Sequence, residues 1–282
     1  MSMSIQTNPG AEFSAIAATR AAEMMDKAMI RLSSGKRINS AKDDAAGIQV
    51  AIRMEAEING LSSALRNAND AQAAVDTAEG ALKEIHTLLL RMREIAVSAA
   101  SDTNTDADRT ALQTEVDALE TEISRIGTKT TWGGINLLNG DFSKASPIDF
   151  QIGPRNGDQI RVTLGYVHHS IAADSQGTLG LTGVVTTQTT AGAYISTIDA
   201  AISIISTRRG ALGAVSNRLD STLANIENMK ANLVAAKGAV VDADFAVETA
   251  RLARSQILLQ AATAMLSQAN ASRSQMLSLI AS

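Results

Sequence analysis

From Gly47 to about Ala100 no proline interrupts the chain, and an apolar side chain returns every seventh residue: Met54, Leu61, Ala68, Val75, Leu82, Leu89 and Ala96. Seven residues are close to two turns of an α-helix, so these positions line one face, whereas a strand would need alternation. A second row, Ala78, Ala81, Ile85, Leu88, Met92 and Ile95, widens the stripe in the C-terminal half. The spacing predicts one helix roughly 80 Å long at about 1.5 Å per residue.

The same reading orders the rest. Thr105 to Asp108 give a capping-box-like start, after which Leu112, Val116, Leu119, Ile123 and Ile126 step by four and three, a shorter helix folding back. The period then changes. In "PIDFQIG" and "QIRVTLGYV" the apolar residues alternate (Ile148, Phe150, Ile152; Ile160, Val162, Leu164, Tyr166), and "PRNGD" between them holds an Asn-Gly turn signal, so a β-hairpin is expected. Residues 170–192, rich in Gly, Ser and Thr, read as an exposed connection, with the threonines of "TTQTT" (186–190) as loop residues.

Helix returns with Leu212, Leu219, Ile226, Leu233 and Val240 spaced by sevens and Val215, Thr222, Met229 and Ala236 between them, the two seams of a coiled coil. Leu258, Met265 and Leu279 keep part of the stripe, and Ala18, Ala21, Met25, Ala28 and Leu32 do the same near the other end. Pro9, Pro147 and Pro154 lie outside the long helical patterns. The fold class is mainly α, with long antiparallel coiled-coil helices from both chain ends and a small β-hairpin region in the middle. The expected division is residues 1–44 with 240–282, paired terminal helices; 45–168 with 195–239, a helical bundle carrying the hairpin; and 169–194, a short variable connection.

The terminal helices are thin. The first 34 residues carry few sizeable apolar side chains, each contributing roughly 1.5–3 kcal/mol when buried, whereas ordering each residue's backbone costs about 1–2 kcal/mol. Such a helix needs the C-terminal one and, because two narrow amphipathic helices still leave apolar surface, other copies of the chain.

Composition removes several function classes. There is no cysteine, so neither disulfides nor thiolate metal sites are available. Aromatic residues are 2% of the chain, too few for an aromatic-lined ligand pocket or a base-stacking surface. A net charge of −4 supplies no basic excess for a phosphate backbone, which argues against a nucleic-acid partner. The stretch "MSMSIQTNPGAEF" lacks the basic and apolar regions of a cleavable signal peptide, and no apolar run is long enough for a membrane span.

The charged stretch "RLSSGKRINSAKDDAAG" (31–47) is the main candidate for chemistry. It is not a phosphate loop: the earlier glycine and the Ser/Thr after the lysine are missing. Asp43 and Asp44 are no catalytic pair, because adjacent helical residues point about 100° apart. Gly35 instead reads as a helix C-cap and Ser40-x-x-Asp43 as a capping box opening the long helix, which makes 33–42 a connector. Arg31, Lys36, Arg37, Asn39, Lys42, Asp43 and Asp44 crowd it with more charge than it is expected to pair internally, so these residues are expected to meet neighbouring copies. On that reading Arg37→Glu or Asp44→Lys spares the monomer and damages assembly. Asp242 and Asp244 read as solvated or intersubunit charges. His168-His169 has no third ligand at metal spacing, and His86 stands alone on a helix. No catalytic residue, cofactor site or metal site is indicated.

Taken together, "RLSSGKRINSAKDDAAG", "LRNANDAQ", "LLRMREIAVSAA", "WGGINLLNG", "LGAVSNRL" and "DADFAVETARLARSQILLQAATAMLSQAN" closely resemble bacterial flagellin across about the first 140 and last 75 residues. The resemblance implies a non-enzymatic, extracellular subunit that forms a homopolymer for swimming motility. It implies export without a cleavable signal through a type III apparatus, an inner tube of terminal helices and a wall of long ones. It also implies an export chaperone, filament cap and hook-junction proteins as partners. Arg91, Ile95 and Glu115 match the surface that an animal innate immune receptor contacts. A hook-filament junction protein and a surface polysaccharide-binding homologue are the alternatives it leaves. The outer domain of larger flagellins is reduced here to about 25 residues.

Overall fold

A computed structural model describes residues 7–138, 148–163, 179–181 and 183–280, without the side chains of 276–280. The expected strand residues Leu164 and Tyr166, the His168-His169 pair, the side chain of Leu279, and residues 170–178 and 182 of the expected connection lie outside what is described. The elements in order are α1 (Pro9–Ser34), α2 (Ala45–Ala99), α3 (Asp106–Lys129), β1 (Thr131–Trp132), β2 (Ile135–Asn136), β3 (Ile148–Gln151), β4 (Gln159–Val162), α4 (Gln188–Val241) and α5 (Phe245–Ile280). Contacts gather into two compact units, residues 1–58 with 232–282 and residues 59–231. The division crosses α2 and α4 within their lengths, whereas helix ends near 44 and 240 were the expected boundary.

In the larger unit the heptad of α2 faces inward: Leu61, Ala68, Val75, Leu82, Leu89 and Ala96 are all buried, as are Ala78, Ile85, Met92 and Ile95 of the second row. Those from Val75 onward join Val116 and Ile123 of α3, Ile160 and Val162 of β4, and Ala191, Tyr194, Ile198, Ala201, Ile205, Leu212 and Leu219 of α4 in one apolar cluster. Helices α2 and α4 run antiparallel, since partner numbers fall as α2 advances. The Gln72 amide donates to Ser216 Oγ at 2.6 Å, and Arg209 and Arg93 pair with Glu79 and Asp199, both at 2.7 Å.

Helix α3 opens with the expected capping box: the Thr105 side chain accepts from Asp108 N–H while the Asp108 carboxylate accepts from Thr105 N–H. Strands β3 and β4 form the expected antiparallel hairpin, with Ile148 opposite Val162 and Phe150 opposite Ile160. A second hairpin was not anticipated. Thr131–Trp132 pairs with Ile135–Asn136 around Gly133 and Gly134, whose φ values of 56° and 82° are those of a tight hairpin turn that glycine adopts at little cost.

Helix α4 begins inside the stretch expected to be a loop. Thr187 and Thr190 cap it reciprocally, each hydroxyl accepting the other's backbone N–H at 3.2 Å, a helix start written with two threonines. The segment before it lies on Tyr194, where a Cβ on Gly183 would fall 2.1 Å from the ring. The Tyr194 hydroxyl donates to Glu120 Oε1 at 2.5 Å. Burial pushes both groups' pKa values up, and the nearby Asp117 charge adds to each.

Candidate functional site

The smaller unit is built on the antiparallel pair α1 and α5. Asn8 caps α1 by accepting from Ala11 N–H and reaches across to donate to the Ala269 carbonyl at 3.2 Å. At the other end Arg31 bonds Glu248 at 3.2 Å. Along α1 the inward residues are Ala11, Ser14, Ala18, Ala21, Met25, Ala28 and Leu32, which extends the stripe read from the sequence, Ala18 to Leu32, toward the N-terminus as far as Ala11. Along α5 they are Glu248, Leu252, Ser255, Leu259, Ala262, Leu266 and Ala269. Leu258 and Met265, expected on that stripe, lie outside it and are 46% and 62% exposed. Apart from Glu248, the buried contacts are small: Ala21, Ala28, Ser255 and Ala262. Small side chains let two helices approach closely, but each removes little apolar surface from water. Large ones, Phe13, Ile16, Met24, Ile30, Phe245, Ile257, Leu258 and Met265 among them, are left outside.

Glu248 is the one buried carboxylate among the described residues. Two guanidinium groups hold it, Arg31 at 3.2 Å from α1 and Arg251 at 2.8 Å from its own helix, and without them a charge so placed would be costly. Beside it opens a cleft of about 310 Å³ lined by Met24, Lys27, Arg31, Arg251, Arg254 and Leu258.

The connector after α1 is a paired structure, which the sequence did not suggest. Gly35 ends the helix in the left-handed conformation, φ 67°. Lys36 then forms an antiparallel bridge with Asp242, the Arg37 N–H donating to the Val241 carbonyl at 2.7 Å and the Ala243 N–H to that of Gly35 at 2.9 Å. Ile38 is buried. Of the charges expected to exceed what this stretch can pair, two cations find partners within the chain. Arg37 donates to the Val240 carbonyl at 2.7 Å, lies 3.9 Å from Asp44, and so ties the end of α4 to the start of α2 within one chain. Arg31 is likewise spent on Glu248. Lys42 is exposed.

The capping reading of Ser40 and Asp43 also changes. Asp43 accepts from the N–H groups of Ser40 (2.9 Å) and Asn39 (3.2 Å) and from the Ser40 hydroxyl (3.0 Å), closing a turn before the helix. Asp44, not Ser40, caps α2, accepting from Gly47 N–H at 2.9 Å. Asp244 caps α5 in the same way through Ala246 and Val247.

The Ser40 backbone bond, with the Ser40 hydroxyl and Asn39, holds the Asp43 pKa below the ordinary 3.8. A depressed carboxylate stabilises the fold above its unfolded pKa and loses that contribution as pH falls through the folded one. Acidification below about pH 4 is therefore expected to open the Ser40–Asp43 turn. The Ser40 amide resonance should titrate there, and an unmoved resonance down to about pH 2 would contradict the assignment.

Of the coiled-coil seam, Leu212, Leu219 and Ile226 are buried, Leu233 and Val240 only partly so, and Met229 of the second row is exposed. Arg91 donates twice to Glu115, at 2.9 and 2.8 Å, and once to Glu94 at 3.1 Å. These bonds raise its pKa, Glu115 foremost. Ile95, expected to share that surface, is 2% exposed. It belongs to the core, because its row on α2 faces α3 and α4. Among the described residues no three His, Asp or Glu side chains gather to hold a metal, and no helix is long and apolar enough to cross a membrane.

Residues 5–143 match the family model described as bacterial flagellin N-terminal helical region, and residues 195–280 match that described as bacterial flagellin C-terminal helical region. A flagellin of Halalkalibacterium halodurans is 39% identical over 249 residues, covering 86% of this chain and 87% of that protein. Polar flagellin F of Vibrio parahaemolyticus is 45% identical over 164 residues, 58% of this chain, and the match spans only 43% of that longer relative. The fold also recurs in a flagellar hook-associated protein from Vibrio parahaemolyticus, with a TM-score of 0.59 over 71% of this chain and 99% of that one, at 16% identity. With both helical regions matched in order and one relative aligned along most of its length, the chain belongs to the bacterial flagellin family.

Proposed function

We propose that this chain is a structural subunit that polymerises helically into the flagellar filament used for swimming. The observation that carries the reading is the inversion in α1 and α5: alanines, a serine and the paired Glu248 are buried between the helices while Phe13, Ile16, Met24, Ile30, Phe245, Ile257 and Met265 face outward. A lone two-helix unit in water gains little from such an arrangement, whereas an array that covers those faces recovers roughly 1.5–3 kcal/mol for each large side chain buried. Faces that differ around the same unit make heterologous contacts, which propagate without closing.

The likeness along 86% of the chain to a flagellin supports this over a hook-filament junction protein. Aromatic residues at 2% give a polysaccharide-binding homologue little to stack on. The same reading places the subunit outside the cell, exported without a cleavable signal, with a chaperone on the C-terminal helix and cap and junction proteins at the filament ends. Arg91 and Glu115, exposed and bonded to each other, would be the residues offered to an animal innate immune receptor.

Purified chain seeded with sheared filament fragments is expected to sediment above a critical concentration and to show uniform filaments by electron microscopy. A chain that stays monomeric at every concentration, seeded or not, overturns the reading.

A further inference from the structure

Each terminal helix carries a second, outward stripe at the same four-three spacing as its inner one. On α1 it is Glu12, Ile16, Thr19, Glu23, Asp26 and Ile30; on α5 it is Val247, Arg251, Arg254, Leu258, Ala261 and Met265; and every one of these residues is exposed. Spacing of four and three along a helix keeps residues on one face, the geometry by which two helices interlock. The stripes are opposite in charge. The α1 stripe carries three carboxylates and no cation, and the α5 stripe two arginines and no carboxylate. The α5 stripe also forms one wall of the cleft whose other wall adds Lys27 and Arg31. Glu248 at its floor is shared by Arg31 and Arg251, so four cations face one carboxylate and the cleft stays basic through Lys27 and Arg254. Its remaining positions are apolar, as are Ile16 and Ile30.

We infer that the outward acidic stripe of α1 from one copy docks on the outward basic stripe of α5 in a second copy, so that each α5 lies between its own α1 and a neighbour's. The inference rests on the filament reading and names the contact within it. One chain cannot satisfy both stripes, because the inner stripes already commit α1 and α5 to each other. Copies arranged in the same sense along a common axis present α1 and α5 antiparallel to one another, as within a chain. Laid so, Glu23 and Asp26 can lie beside Arg254 and Arg251 while Ile30 meets Val247. Like charges brought together at such a contact cost several kcal/mol, which is why charge pattern selects which faces meet.

The test uses two variants of the full chain, Glu23→Lys with Asp26→Lys, and Lys27→Glu with Arg254→Glu. All four positions are exposed, so each monomer should fold with unchanged helix content. Each variant alone confronts like with like and is expected to sediment at least roughly tenfold less than the unaltered chain, the effect of about 1.4 kcal/mol. Mixed in equal amounts they should co-assemble, because the reversed α1 of one meets the reversed cleft of the other. The chain carrying all four changes should assemble alone. Unaltered chain that pellets normally while the mixture stays soluble overturns the inference and leaves the filament reading standing. Failure of the unaltered chain itself removes that reading first. A merely misfolded variant cannot be rescued by mixing with another.

Discussion

Removal of residues 1–40 and 241–282 abolishes polymerisation entirely and leaves a soluble, helical monomer: this is the expected result of trimming both ends. The cut takes α1, α5 and the paired connector, and with them every residue of the two-helix unit whose large apolar side chains face outward. What remains contains the whole apolar cluster from Ala71 to Leu219, the Arg209–Glu79 and Arg93–Asp199 pairs and both hairpins. A core that size supplies its own cooperativity, because it does not draw on the deleted segments. Sedimentation should show no pellet at any concentration, and circular dichroism should show a cooperative melt. Filaments from the trimmed chain would refute the role given to the ends, and a trimmed chain without a cooperative melt would refute the independence of the larger unit.

The second large effect is expected at Arg109, which no sequence pattern flags. It sits in the first turn of α3 with its side chain 9% exposed, and its guanidinium donates at 2.9 Å to the carbonyls of both Ala99 and Ser101. The last carbonyls of a helix have no partner within it, and a cation placed there also meets the negative end of the helix dipole. Arg109 thus closes the corner between α2 and α3. Arg109→Met keeps the bulk and strands the Ala99 carbonyl, whereas that of Ser101 keeps the Asn104 N–H at 3.3 Å. A carbonyl buried without a partner costs about 1–3 kcal/mol, so the monomer should lose about 1–3 kcal/mol in urea unfolding with an unchanged slope. Arg109→Lys should recover part of this, since one ammonium cannot present the planar fork. A loss below about 0.5 kcal/mol for the methionine variant, the range of ordinary surface changes, would show that the corner does not depend on it.

The long helices were legible because burial, heptad and continuity agree in them. Met54 to Ala96 repeat without interruption, and Thr105 and Asp108 announce α3 by a local bond that needs no tertiary context. The start of α4 was hidden by composition: threonines and Gly192 read as loop, although Ala191, Tyr194, Ile198, Ala201 and Ile205 already step by three and four. The face of α5 was misread for a different reason. Apolar size is a guide to burial only when the folded monomer is the final state, and here Leu258 and Met265 point away from the helix's own partner while Leu252, Leu259 and Leu266 face it. The connector's pairing lay beyond any local reading, since Arg37 finds its acceptor at Val240, 203 positions away.

The bonds that join α1 to α5 link residues 217 and 261 positions apart. Closing a loop of that length costs on the order of 5 kcal/mol in chain entropy before any contact is made, and α1 has nothing nearer to fold against. Whichever end of the chain emerges first, from a ribosome or from a narrow channel, has to wait unstructured for the other. The two-helix unit is therefore the last part to form, and it forms only on a finished chain. A half-made molecule cannot present the faces by which copies would recognise each other, so association has to wait until both terminal helices are present.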